Sequence, residues 1–371
     1  MNEATPTQYS EEFEVNMGPQ HPSTHGVLRL MLRMNGENIV HATPYIGYLH
    51  RAIEKICENR TYAQCIPLLD RFEYVTAMAA EEVFCLATER VAGVEVPERA
   101  EYLRVIMLEF NRIASHLIFL GTFSLDLGAI TPFLYCLRER EQIMDLFEMT
   151  AGQRLTYNYI RVGGVNADIP EDFLPLARKF VDTFQHRVDD YEAILTENPI
   201  FLARTKNVGI VSEDIAVKYA ASGPVLRASG IKWDLRRDDP YSIYDRFKFE
   251  IPTGTVGDTW DRYMVRVKEL RQSNEIVRQA LDQLPQGEIK AKLKGVFKPP
   301  VGEAYARIEN ARGEMGCHIV SDGSAKPYRV KLRGGSFNHT QMIPAIAPGM
   351  MIADLVATFA SLDVILPEVD R

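Results

Sequence analysis

The sequence predicts an α+β fold, with a central helical bundle flanked by N-terminal and C-terminal antiparallel β elements. Three observations predict it. Apolar residues alternate with polar ones over 12–48, recur at helical spacing from Gly47 to Gly164, and alternate again beyond Val301. In the first segment Phe13, Val15 and Met17 face one way, and Leu28, Leu30, Leu32 and Met34 alternate with Arg29, Met31 and Arg33. Asn35-Gly36 is a tight-turn signal, and Ile39, Val40 and Ala42 supply the returning strand. Between these strands MGPQHPSTHG holds two prolines and two glycines, which forbid regular helix and predict a loop.

The helical stretch divides at its breakers. Leu68, Phe72, Val75, Ala79, Val83, Leu86 and Val91 form one stripe from Pro67 to Val91, ended by Gly93. Pro97 opens a second helix carrying Leu103, Ile106, Met107, Phe110, Ile113, Ala114 and Leu117. Thr131-Pro132 reads as the cap and first residue of a third, running through Phe147, and Glu171–Leu195 as a fourth. Residues 200–258 are rich in breakers and read as mixed and loop-rich. Trp260 to Leu284 is a charged amphipathic helix, expected to present a solvated face through Arg262, Arg266, Lys268, Arg271 and Arg278. Tyr328, Val330 and Leu332 alternate with Arg329, Lys331 and Arg333, and Met350 to Phe359 closes as a short helix. The expected organisation is 1–48 as a β domain with a histidine loop and 49–200 as the bundle core. A mixed segment with the amphipathic helix follows at 201–300, then a β segment and closing helix at 301–371.

Composition narrows the function. In 371 residues, 42 Lys and Arg against 50 Asp and Glu leave a net charge of −8, a poor match for nucleic acid. The longest apolar approach, His116 to Tyr135, is interrupted by Asp126, so a membrane-spanning helix is not expected. The first residues, MNEATPTQYSEEFEV, lack the basic and apolar regions of a signal peptide, which predicts a cytoplasmic-side location. Cys57, Cys65, Cys85, Cys136 and Cys317 are odd in number, scattered and without a C-x-x-C pair. They are expected to be buried small hydrophobes, and no metal ligand set is expected in this chain.

Candidate chemistry rests on few residues. His21 and His25 lie in a non-helical loop with no third ligand, so they read either as structural or as titratable donors presented to a cavity. Asp126, between two leucines after an apolar helix, is expected to be at least half buried, either capping the next turn or pairing with an imidazolium. Tyr74 lies in the Pro67–Val91 helix, whose apolar stripe runs past it at Phe72 and Val75, and packing is the commoner role there. Arg51, Arg71, Arg154 and Arg161 are expected in or near the bundle, as surface charge or as attraction for an anionic or electron-rich partner. No dinucleotide fingerprint, P-loop or G-x-S-x-G elbow is present.

Segments spread over essentially the whole chain then converge on one family. GPQHPSTHGVLRL, IGYLHRAIEK, ENRTYAQ, LDRFEYV, ERAEYLRVIMLEFNRIASHL, LDLGAITPF, REREQIMDLFE, YIRVGGV, GPVLRASG, ARGEMG, SDGSAKPYRVK and a terminal EVDR occur in order. They resemble the D-subunit family of respiratory complex I, the quinone-site subunits of NADH:quinone oxidoreductases. The family is similar in turn to the large subunit of nickel–iron hydrogenases, but the two C-x-x-C motifs that hold the hydrogenase metal are absent here.

The resemblance implies a cavity where quinone is the substrate, beside a 4Fe–4S cluster held by a partner subunit, and no cofactor bound by this chain alone. By motif match His25 and Tyr74 flank the quinone head group, Asp126 pairs with the histidine, and His21 shares its loop. Arg51 matches an arginine near the cluster. The implied partners are the terminal iron–sulfur B-type, C-type and ferredoxin-like I-type subunits and the membrane H-type subunit. The implied location is peripheral, on the cytoplasmic face of the bacterial inner membrane. Two departures stand out: Asp363-Val364 where many relatives have Asp-Pro, and Thr156 where many have histidine. Threonine cannot titrate, so the cluster's potential is expected to be lower and less pH-dependent, which suits menaquinone better than ubiquinone. Alternatives are the equivalent subunit of a ferredoxin-dependent or coenzyme F420-dependent complex, and a non-catalytic scaffold, which would lack the His25, Tyr74 and Asp126 set.

Overall fold

The alternation at the N-terminus becomes a three-stranded antiparallel sheet in a computed structural model that describes residues 12–293 and 295–371. Strand β1 (Glu12–Met17) pairs with the central β2 (Arg29–Asn35), which pairs with β3 (Asn38–Tyr45). Leu30, Leu32, Met34 and Ile39 are buried on one face. Gly36 turns the hairpin at φ +61°, a conformation that glycine adopts without the Cβ penalty. The segment between β1 and β2 is irregular as expected, holding one 3₁₀ turn at Pro22–Thr24. Its Gly26 lies so close to Leu366 that a Cβ would meet that side chain at 2.9 Å. The second apolar cluster accordingly joins this sheet to Leu355, Phe359 and Leu362 near the other end of the chain.

The bundle consists of α1 (Tyr62–Asp70), α2 (Ala77–Ala92), α3 (Glu98–Asp126), α4 (Ile130–Ala151), α5 (Phe173–Leu195) and α6 (Thr259–Gln283). A C-terminal sheet of β4 (Gly302–Asn310), β5 (Gly313–Ser321) and β6 (Arg329–Arg333) packs on α2, and α7 (Ile352–Leu362) lies against α3. All five cysteines are free and buried. Among the described residues no helix is long and apolar enough to cross a membrane.

Three expectations are corrected. The helix expected over Pro67–Val91 is two helices, because 71–76 leaves helical geometry. Side chains replace the lost helical bonds there: Glu73 accepts the Thr76 N–H at 2.8 Å. Asn111 on α3 accepts the Met78 N–H at 3.3 Å and donates to the Val75 carbonyl at 3.1 Å. The third helix starts one residue before Thr131, with no side-chain cap, and runs past Phe147 to Gly152 in the left-handed region. Finally, α6 is a solvated face only in part: Lys268 is exposed and Arg271 and Arg278 are partly so. Arg262 and Arg266 are buried because backbone carbonyls answer them: Gly257 and Gly209 at 2.7 and 2.8 Å, Arg262 and Ser361 at 3.0 Å each.

Behind α3 and α6 runs a buried ionic chain. Arg227 pairs with Glu269 and Glu309 at 2.8 Å each, and His116 meets Glu269 at 2.9 Å. Arg236 bridges Asp234 at 2.7 Å and Glu109 at 3.2 Å. Burial alone would raise the Glu269 carboxyl, but Arg227 and His116 hold it well below the usual range. Replacing Arg227 by methionine leaves two buried carboxylates without their cation, so Arg227→Met should destabilise the fold by about 3–5 kcal/mol. Chemical denaturation of the purified chain checks this; an unchanged midpoint would show that the chain of charges does not carry stability.

Candidate functional site

The histidine loop and the bundle meet at the end of α3. His25 takes the left-handed conformation, φ +52°, closing the 3₁₀ turn. Its Nε2 lies 2.6 Å from Oδ2 of Asp126, with the two side chains 26% and 13% exposed. Asp126 is thus mostly buried, as expected, but it is the last residue of α3 rather than the start of the following turn. In this geometry Nε2–H donates to the carboxylate, leaving Nδ1 available to a ligand.

Tyr74 lies in the break between α1 and α2, not on a helix, and is 37% exposed. His25 and Tyr74 line one cavity of about 400 Å³. Ile118 and Thr122 of α3 and Leu155 supply much of its remaining wall, and Arg140, Arg312 and Asp363 supply its charges. Burial pushes the Tyr74 phenol above its ordinary value, so it stays protonated at neutral pH and is a hydrogen-bond donor.

Arg312 is buried and ties the cavity together. It lies 3.4 Å from Glu73 in the break and 3.2 Å from Asp363 after α7, and it donates to Ser115 of α3 at 3.1 Å. A second pair flanks the same break. Asp70 accepts the Asn158 N–H at 3.1 Å, and Glu81 accepts those of Tyr159 and Ile160 at 2.9 and 2.6 Å. Burial raises both carboxyls, and the nearby Asp70 raises Glu81 further. The pair fastens the turn bearing Tyr74 to the stretch following Leu155.

The remaining candidates lie outside this cavity. His21 is exposed, accepts the Ser23 N–H at 3.2 Å, and borders a separate cleft with Met17 and Val356. Arg51 is exposed and donates to the Arg71 carbonyl at 2.7 Å. Thr156, at φ +57°, donates its hydroxyl to the Leu155 carbonyl at 2.6 Å, one residue from the cavity wall. Arg154 is matched by Glu141, Asp145 and Glu148 on α4, which removes it as a charge to attract a partner. Sequence reasoning passed over Arg140 and Arg312, and noted Asp363 only as a departure. Their signal was weak: charges in REREQ and ARGEMG, with no periodicity to show which way they point.

Comparison with known proteins places this geometry. The family described as respiratory-chain NADH dehydrogenase, 49 kDa subunit, matches residues 126–297 and 292–371. The chain belongs to that family. It is 53% identical over 363 residues to the D subunit of the NADH-quinone oxidoreductase of Dehalococcoides mccartyi, covering 98% of this chain and 99% of the relative. The D subunits of the same name from Desulforamulus reducens and Bacillus cereus are each 51% identical, over 361 and 362 residues, covering 97% of this chain and 99% of each relative. The 49 kDa family match begins at Asp126, so it includes Arg140, Arg312 and Asp363. His25 and Tyr74 precede it. Among the described residues no group of three or more His, Cys, Asp and Glu side chains is placed to hold a metal ion.

Burial raises Glu73 from 4.5 to about 7 against the pull of Arg312. The unfolded chain releases this proton near pH 4.5 and the folded one near 7. The stabilising contribution is therefore complete below about pH 4.5 and lost as pH rises to about 7, roughly 3 kcal/mol in all. Glu73→Gln should flatten this decline, read as denaturant midpoints at about pH 5 and about pH 7.5. An unchanged slope would show that Glu73 is ionised throughout.

Proposed function

We propose that the chain acts as the D subunit of an NADH–quinone oxidoreductase, and that the cavity between His25 and Tyr74 receives the quinone head group. The observation that carries this reading is the juxtaposition of two protonatable donors on one cavity, with Asp126 at 2.6 Å from the histidine. Reducing a quinone to hydroquinone takes two electrons and two protons. His25 gives a proton from Nδ1 to one ring oxygen while Asp126 keeps hold of Nε2–H. The phenol of Tyr74 gives the other, and both are recharged from water. Once His25 is neutral, Asp126 is a less compensated anion, a local charge change that the rest of the complex can sense.

The finer assignments follow from the family resemblance. The electrons come from NADH through a 4Fe–4S cluster in the B-type partner. Arg51 and Thr156, at the surface outside the cavity, face that cluster, while His21 supports the loop bearing His25. The C-type, I-type and membrane H-type subunits complete the surroundings, on the cytoplasmic face of the inner membrane in a proton-pumping complex. The hydrogenase-like ancestry accounts for a cavity where a metal once sat.

His25→Ala, Tyr74→Phe and Asp126→Asn should each slow quinone reduction roughly 10-fold or more, the scale of a lost general acid. The complex should still assemble and still reduce an artificial acceptor upstream of the site. Wild-type quinone reduction in all three would overturn the assignment. Thr156→His should steepen the pH dependence of the partner cluster's midpoint potential, read by redox titration at several pH values. A steep slope already present in the wild type and unchanged by histidine would contradict the placement of Thr156.

A further inference from the structure

Arg140 differs from the arginines around it. Arg138 is matched by Glu139 at 2.6 Å, Arg154 by three carboxylates, and Arg312 by Glu73 and Asp363. Arg140 lines the cavity, yet its buried Nε finds no acceptor, and no carboxylate lies within ion-pair distance of it among the described residues. A partly desolvated cation without a partner is costly in a folded chain. Negative charge arriving inside the cavity would offset that cost. Arg312, by contrast, is already engaged by Asp363 and Glu73 at ion-pair distance and by Ser115.

We propose that Arg140 is a catalytic residue of the cavity, donating to the ligand oxygen on which negative charge develops as electrons arrive. The proposal rests on the quinone reading above and specifies what the cavity does between electron and proton transfer. Two electrons from NADH, delivered one at a time through the partner's cluster, enter the quinone and put negative charge on its two ring oxygens, one of which faces Arg140. NADH is oxidised to NAD⁺ and the quinone is reduced. The guanidinium holds that oxyanion by charge-assisted hydrogen bonds until the protons from His25 Nδ1 and Tyr74 Oη form the two O–H bonds of hydroquinone. The guanidinium meets charge that exists only once electrons arrive, so its effect belongs to turnover more than to ground-state binding.

The test uses the assembled complex carrying Arg140→Gln or Arg140→Lys. The glutamine variant should lose about tenfold or more in kcat for quinone, with KM changed less than about threefold, and lysine should retain at least about a third of kcat. Competitive inhibition by a hydroxynaphthoquinone ionised at neutral pH should exceed that by its neutral methoxy counterpart in the wild type, and this preference should vanish with glutamine. Wild-type kcat in Arg140→Gln, a lysine variant as slow as glutamine, or an unchanged inhibitor preference would each overturn the proposal. If Arg140→Gln does not assemble, Arg140→Ala is read in its place. If neither neutral variant assembles while lysine does, the residue holds structure and the proposal fails. Tyr74→Phe and Asp126→Asn measured alongside separate the two failures. Wild-type rates there sink the quinone site itself, while slow rates there with a fast Arg140→Gln sink only the role of Arg140.

Discussion

A buried guanidinium must be answered, and Arg312 is the point where this requirement organises the molecule. It stands in the turn between β4 and β5, and its partners are Glu73 in the break between α1 and α2, Asp363 beyond α7, and Ser115 on α3. These segments are remote in sequence, yet each contributes to one cavity wall. Removing a single partner from a buried ion cluster costs about 3–5 kcal/mol, so the three segments are held together by more than apolar packing. The turn bearing Tyr74 owes its position to the same contacts. Glu73 caps α2 with one oxygen and meets Arg312 with the other, which lets the chain leave helical geometry without orphaning the backbone groups there.

Around that tie the site is built from unequal electrostatic environments. His25 has a single close carboxylate and room at its second ring nitrogen. Tyr74 keeps its proton because its surroundings disfavour phenolate. Arg140 has no counter-ion among the described residues. The cavity thus combines two neutral-to-cationic donors with one unanswered positive charge, in a chain whose net charge is −8. Such an arrangement favours negative charge in the cavity, whether carried in by an anionic ligand or developed on a neutral one as it becomes electron-rich.

Much of this was legible in the sequence, for physical reasons that differ by element. The sheets declare themselves because one face of each strand is buried, as Leu30, Leu32 and Val330 show. His25 was legible because its loop cannot be helical, and Asp126 because a carboxylate among leucines needs a cation. The break at 71–76 was not, since its apolar residues keep the helical period while Glu73 and Asn111 satisfy the backbone from elsewhere. The burial of α6 was hidden for a related reason. Arg262 and Arg266 read as surface charge, but their acceptors include the carbonyls of Gly209 in a loop and Ser361 near the end of α7, both far along the chain. Arg140 and Arg312 escaped because a lone charge in a helix or turn carries no local mark of what it faces.

An experimental structure of the assembled complex with a short-chain quinone would show whether the cavity holds the head group between His25 and Tyr74. The account predicts the two ring oxygens within about 3 Å of His25 Nδ1 and Tyr74 Oη, with the His25–Asp126 pair intact. Density for the quinone at another site, with this cavity filled by ordered water, would contradict it.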